Sequence, residues 1–160
     1  MRHVSLLGLV LTLLVGCGSA EEPLARIAQR EPSFGGHVRS QGRLVLYLTD
    51  VSRLESADRV VREELPSAYP DAQPAVARQG QFGYLQLRDW LHALVDGAQA
   101  AGPRGMTLLY VEPALNRVFI GVDDLARTPD VEAYLDAMQV PRNAVVIELR
   151  EAPAGHSRER

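Results

Sequence analysis

Two stretches of this chain can be laid on each other without a gap. Residues 42–65 match residues 116–139 at a single offset of 74. Gly42 meets Asn116, both turn residues, and Arg43 meets Arg117. Leu44, Val45, Leu46 and Leu48 meet Val118, Phe119, Ile120 and Val122. Asp50 meets Asp124, Val51 meets Leu125 and Arg53 meets Arg127. Further on, Ala57 meets Val131, Asp58 meets Glu132, and Val60-Val61 meets Tyr134-Leu135. One offset therefore keeps a strand period, a turn and a helix period in phase. A single such unit exposes an apolar sheet face and an apolar helix stripe that it cannot bury alone, whereas two can bury them together. The pattern restricts the chain to an α+β fold built from two ββαβ-like repeats, near residues 35–80 and 106–150, joined through a middle helix. The expected sheet is antiparallel or mixed, with helices packed on one face, ferredoxin-like in the loose sense.

The local signals fill in this frame. Residues 43–49 alternate Leu44, Leu46 and Leu48 against Val45 and Tyr47, a strand with one face more aliphatic. Gly35-Gly36 and the turn Ser40-Gln41-Gly42 place a hairpin before it. Ser52 and Glu55 have the spacing of a capping box opening a helix that Pro66 closes. A short strand is expected at 75–79 and a second helix at 84–101, ended by Gly102-Pro103. Strands follow at 106–111 and 117–122, around a turn at 113–116. Thr128-Pro129 starts a third helix with Pro at the first helical position, and residues 144–149 form the last strand.

The amino terminus carries a different signal. Arg2 precedes a twelve-residue apolar run, 4–15. As a helix that run spans roughly 18 Å, short of the roughly 30 Å bilayer core, so it reads as a signal-peptide core and not a membrane span. It ends in Leu14-Val15-Gly16-Cys17. This resembles the lipobox of bacterial lipoproteins: an aliphatic residue, a small residue, then Cys. The resemblance implies a signal peptide at 1–16, cleavage after Gly16, lipid on Cys17 with acylation of the new amino terminus, and a place in the cell envelope. The implied anchor is in the outer membrane or on the periplasmic face of the inner membrane. Residues 17–32, polar and without a sustained apolar period, are expected to be the lipidated Cys and a flexible tether, with room for a short helix at 24–29. The domain is expected at 33–151 and a disordered tail at 152–160.

A second resemblance covers part of the domain. Phe34-Gly35-Gly36, then the stretch from Gly42 to Asp50, then Asn116 to Asp123, is similar to the pro-regions of secreted chymotrypsin-like proteases of the streptogrisin and α-lytic type. It implies a stand-alone relative of a folding-assistant or inhibitor domain and transfers no catalytic residue.

Chemistry is mostly excluded by residue type. All seventeen basic residues are Arg, so no Lys is present for Schiff-base or phosphate-loop roles. The single Cys gives no intrachain disulfide and no multi-Cys zinc site. A formal charge of −3 gives no support for nucleic-acid binding. No Gly-x-Ser-x-Gly elbow occurs. His37, His92 and His156 lie in unrelated places, with His92 on the solvent side of its helix. Asp123-Asp124 could serve acid–base chemistry or bind Ca²⁺, but adjacent residues on an extended segment point apart, and Asp50 is the repeat partner of Asp124. Capping explains both. Trp90 and Tyr84 read as core or core rim. The expectation is a protein that is not an enzyme and holds no cofactor or metal. It would be a binding module with an envelope protein as partner. Its contact surface is expected at Phe34, Gly35, Gly36 and His37 and along a sheet edge, by strand addition. The alternatives are a periplasmic inhibitor or folding assistant and, from another class, an enzyme using carboxylates alone.

Overall fold

The computed structural model describes residues 21–69 and 73–150. The signal peptide, Cys17, the tail at 152–160 and His156 lie outside the described residues. The element order is α1 (Glu21–Arg30), β1 (Phe34–Ser40), β2 (Arg43–Leu48), α2 (Leu54–Glu64), β3 (Val76–Gln79), α3 (Tyr84–Ala101), β4 (Met106–Glu112), β5 (Arg117–Val122), α4 (Thr128–Ala137) and β6 (Val145–Leu149). The strands form two three-stranded mixed sheets, β1-β2-β3 and β4-β5-β6. In each, an antiparallel hairpin is followed by a helix and a third strand parallel to the second. The α+β class and the ββαβ repetition expected from the sequence are present, in two sheets.

The repetition extends to details. Asp50 and Asp124 each accept a hydrogen bond from the backbone two residues on, Ser52 N at 3.0 Å and Ala126 N at 2.9 Å. Each thereby caps a short 3-10 turn that leads into α2 or α4. The Ser52–Glu55 capping box does not form: Ser52 Oγ donates to Asp50 Oδ1 instead, at 2.7 Å. Leu44, Leu46 and Leu48 of β2 face a core with α1 and α2. Val118, Ile120 and Val122 of β5 face a core with α3 and α4. Ala57, Val60 and Val61 of α2 are buried, as are their partners Val131, Tyr134 and Leu135 of α4. Both first strands carry a register irregularity, between Phe34 and Gly36 and between Met106 and Leu108. α4 ends in a Schellman motif: Val140 N bonds to Leu135 O and Gln139 N to Asp136 O, with Gln139 at φ 56°.

One expectation is corrected. Residues 21–32 are not a tether. α1 buries Ala25, Ile27 and Ala28, and it packs against α2, β1 and α3. The apolar stripe is one isoleucine, two alanines and the partly buried Leu24, too short and too small to stand out in the sequence. With α1 included, the order α-β-β-α-β occurs twice. The repeated unit therefore has five elements, and α3 is the first element of the second unit, where the sequence suggested a link between units.

Candidate functional site

The two units meet through a side-chain amide. Asn116 ends the β4–β5 turn at φ 52°, a conformation asparagine tolerates. Its side chain is buried and makes four hydrogen bonds. Oδ1 accepts from Gln81 N at 2.7 Å and Phe82 N at 2.9 Å. Nδ2 donates to Gly35 O at 3.0 Å and Phe82 O at 2.9 Å. The turn of the second unit is thus fixed to the first strand of the first unit and to the link before α3. Tyr47 Oη adds a bond to Ala114 O at 2.5 Å and accepts from Arg78 at 2.9 Å.

This docking accounts for the glycines expected to form an external contact surface. A Cβ on Gly35 would lie 2.5 Å from Phe82 O and 2.7 Å from Asn116 Nδ2. Gly36 has φ 134°, open to glycine and rarely to other residues, and faces Pro113. Phe34, Gly35 and Gly36 are all buried, and Phe34 lies in the first core. His37 is half-buried and stacks against Phe34 at 6.5 Å. Its Nδ1 is buried without a hydrogen-bond partner. Burial holds the imidazole below its ordinary pKa. Gly35 and Gly36 thus meet the chain's own second unit at Asn116 and Pro113, while Phe34 and His37 pack within the first. Nothing in Gly35-Gly36 itself says which surface approaches it.

Two depressions flank the junction and share Thr49. One is a polar cleft of about 510 Å³ lined by Thr49, Gln79, Gly80, Gln81, Leu115, Asn116 and Arg117. Arg117 donates to Gln81 Oε1 at 2.5 Å and lies over the Phe82 ring. Leu115, 48% exposed, forms the rim. The cleft lies at the end of β3, an outer strand of its sheet. The other is an apolar groove of about 600 Å³ between α1 and the start of α3, lined by Ala28, Gln29, Pro32, Thr49, Gly83, Leu85 and Gln86. The polar cleft offers amide donors and acceptors, main chain and one guanidinium. Its lining contains no carboxylate, imidazole or thiol.

The other residues singled out from the sequence lie apart. Asp123 accepts from Arg127 Nε at 3.1 Å, and Asp124 is occupied as a cap. His92 is exposed. Trp90 is half-buried, edge-on to Phe82 at 5.2 Å, and Tyr84 is buried in the first core. Among the described residues no group of three or more His, Cys, Asp or Glu is placed to hold a metal ion. No helix among them is long and apolar enough to cross a membrane.

The sequence did not single out Glu31. Its carboxylate is 1% exposed. It accepts from Ser33 Oγ at 2.8 Å and from Arg53 Nη2 at 2.9 Å. Burial pushes its pKa up, but hydrogen bonds from Arg53, Ser56 and Ser33 outweigh burial and hold it at about 2. It fastens the end of α1 to the start of α2, a structural ion pair. No family model matches the chain, and no curated protein matches it.

Proposed function

We propose that this protein is a lipid-anchored lipoprotein of the bacterial cell envelope whose folded body is a non-catalytic binding module. Arg2, the apolar run 4–15 and Leu14-Val15-Gly16-Cys17 support the anchor. Several acyl chains on one Cys give stable attachment, which a single chain does not. The binding role rests on one observation: β3 is an outer strand, and its end opens at Gln79 and Gly80 into the polar cleft. An extended segment of a partner protein added along β3 gains main-chain hydrogen bonds, while one side chain enters the cleft. Gln81 and Arg117 suit a polar or acidic side chain there. The partner is an envelope protein, and neither nucleic acid nor a cofactor is part of the reading.

Palmitate labelling tests the anchor. Wild type takes up label and Cys17→Ser takes up none; equal labelling overturns it. A second reading, a protease inhibitor or folding assistant of the pro-region type, is favoured by the equivalent places of the two turn–strand–Asp stretches. It requires the purified protein to inhibit or refold a secreted chymotrypsin-like protease, and no effect across a panel removes it.

A further inference from the structure

The outer strands of the two sheets are β1, β3, β4 and β6, and their edges differ. β1 and β4 each carry a register irregularity, which interrupts a pairing edge. β3 is four residues long and includes the exposed Arg78 and Gln79. β6 holds Val145, Val146, Ile147, Glu148 and Leu149, paired parallel to β5 without a register shift. Just past its end, Arg150 N donates to Val122 O at 2.7 Å. Successive residues of a parallel strand turn their main-chain groups to opposite sides. Those of Glu148 and Arg150 therefore face β5, and those of Ile147 and Leu149 face outward. Val145 also faces outward, but its carbonyl already accepts from Arg142 Nη1 at 2.9 Å. The open part of this edge is its far end, at Ile147 and Leu149.

The side chains there follow a pattern. Leu149 is level with Val122, on the helix-covered face of the sheet, yet it is 55% exposed. Glu148 is level with Gly121 on the other face. Arg150 shares that face, where a Cβ on Gly121 would lie 3.0 Å from its own Cβ. Its guanidinium lies over the Phe119 ring and pairs with Glu148 at 3.3 Å. Both charges are exposed, so this pair alone contributes little. The order acid, leucine, base is self-complementary in an antiparallel pairing. With Leu149 opposite Leu149 of a second copy, Glu148 stands opposite Arg150, and Arg150 opposite Glu148.

We propose that the protein forms a two-fold dimer by antiparallel pairing of β6 with β6 of a second copy, centred on Leu149. The two β4-β5-β6 sheets join into one of six strands. The outward N–H and C=O of Leu149 make two main-chain hydrogen bonds with its twin. Glu148 and Arg150 of opposite copies then fall at non-hydrogen-bonded positions, with Cα atoms only about 4.5 Å apart. Four charges of alternating sign meet on one face, and the two exposed leucines meet on the other. A pairing centred on Ile147 would set Glu148 opposite Val146 and would need the Val145 carbonyl that Arg142 holds. The contact is isologous, so it closes at two copies. It leaves the β3 edge of each copy free, and it does not depend on lipid at Cys17.

The test uses the purified full-length protein in density-matched detergent, with mass followed by sedimentation equilibrium. Wild type is expected to associate reversibly to twice the monomer mass. E148R makes both charges of a copy positive, and R150E makes both negative. Each variant alone sets like charges opposite one another and should raise the dimer Kd about tenfold. An equimolar mixture of E148R and R150E sets opposite charges across the axis again and should regain wild-type association. E148R/R150E should also associate like wild type. The mixture separates pairing from any effect on folding, because each variant enters it with whatever defect it has alone. Wild type that stays monomeric at the highest concentration reached overturns the dimer. E148R or R150E dimers as tight as wild type, or a mixture no tighter than either variant alone, overturn the pairing about Leu149.

Discussion

The side-chain amide of Asn116 donates to the main-chain oxygen of Gly35 at 3.0 Å, joining the last turn residue of one unit to the first strand of the other. Its counterpart in the first unit is Gly42, at an exposed tip, so the two hairpins are topologically equal and play different parts. One docks inward, and the other is left free. The apparent symmetry of the sequence repeat is broken at this contact.

Asn116→Asp tests that contact. The aspartate keeps both acceptor roles toward Gln81 N and Phe82 N. It also sets a carboxylate oxygen against Gly35 O and Phe82 O, where a donor stood. A buried group that loses its donors costs roughly 2–4 kcal/mol. Guanidinium unfolding should show that loss at pH 7 and a smaller one at pH 4, where a protonated carboxyl can donate again. Gly35→Ala should cost a similar amount at both pH values, because its clash with Phe82 O is steric. A loss in Asn116→Asp that does not change with pH would contradict the assignment.

Acid should weaken the fold in two stages. Burial lowers the pKa of His37 below its ordinary 6.5. The unfolded chain then takes up a proton before the folded one, and stability falls as pH drops below about 6.5. Glu31 is held at about 2 against an ordinary 4.5. Its contribution is complete above about 4.5 and is lost as pH falls toward 2. Denaturation midpoints should be level above pH 7, slope gently below about 6.5 and drop steeply below 4.5. His37→Leu removes the first slope. Glu31→Gln removes much of the second and costs about 2 kcal/mol at pH 7. A Glu31→Gln midpoint equal to wild type at pH 7 would show that the Arg53 pair adds nothing.

The two aspartate caps should behave as duplicates. Asp50→Ala and Asp124→Ala each remove one side-chain acceptor from the same kind of turn. Each should lower Tm by about 2–4 °C. The double variant should show the sum, since separate sites add. A marked departure from additivity would mean that the caps are coupled through the junction.

How much of this was legible in the sequence depends on whether a feature is local. β5 and α3 have the bounds their residue patterns indicate, because period and punctuation by Gly and Pro are local. Asp50 and Asp124 were readable as caps for the same reason. α1 was legible only as room for a short helix at 24–29, and its docking was not, since a stripe of two alanines and an isoleucine carries little hydrophobic signal. Its stability comes from packing on α2 and α3 and from Glu31 beneath Arg53. Asn116 was legible as a turn residue only. Its four partners come from Gly35, Gln81 and Phe82, at separations that no local pattern reports. The cleft at Gln79–Gln81 and Arg117 has the same origin: its residues are ordinary surface types, gathered by the docking of the second hairpin.

The central claim is that β3 and the adjoining cleft receive a partner at the membrane. Site-specific photocrosslinking in intact envelopes tests it most directly, with a photoreactive residue in place of Gln79 on the β3 edge or, as control, of the exposed Asp130 in the first turn of α4. The account predicts a discrete, light-dependent adduct with an envelope protein from position 79 and none from position 130. The adduct from 79 should be lost in Arg117→Ala. No adduct from position 79, or the same adduct from both positions, would contradict it.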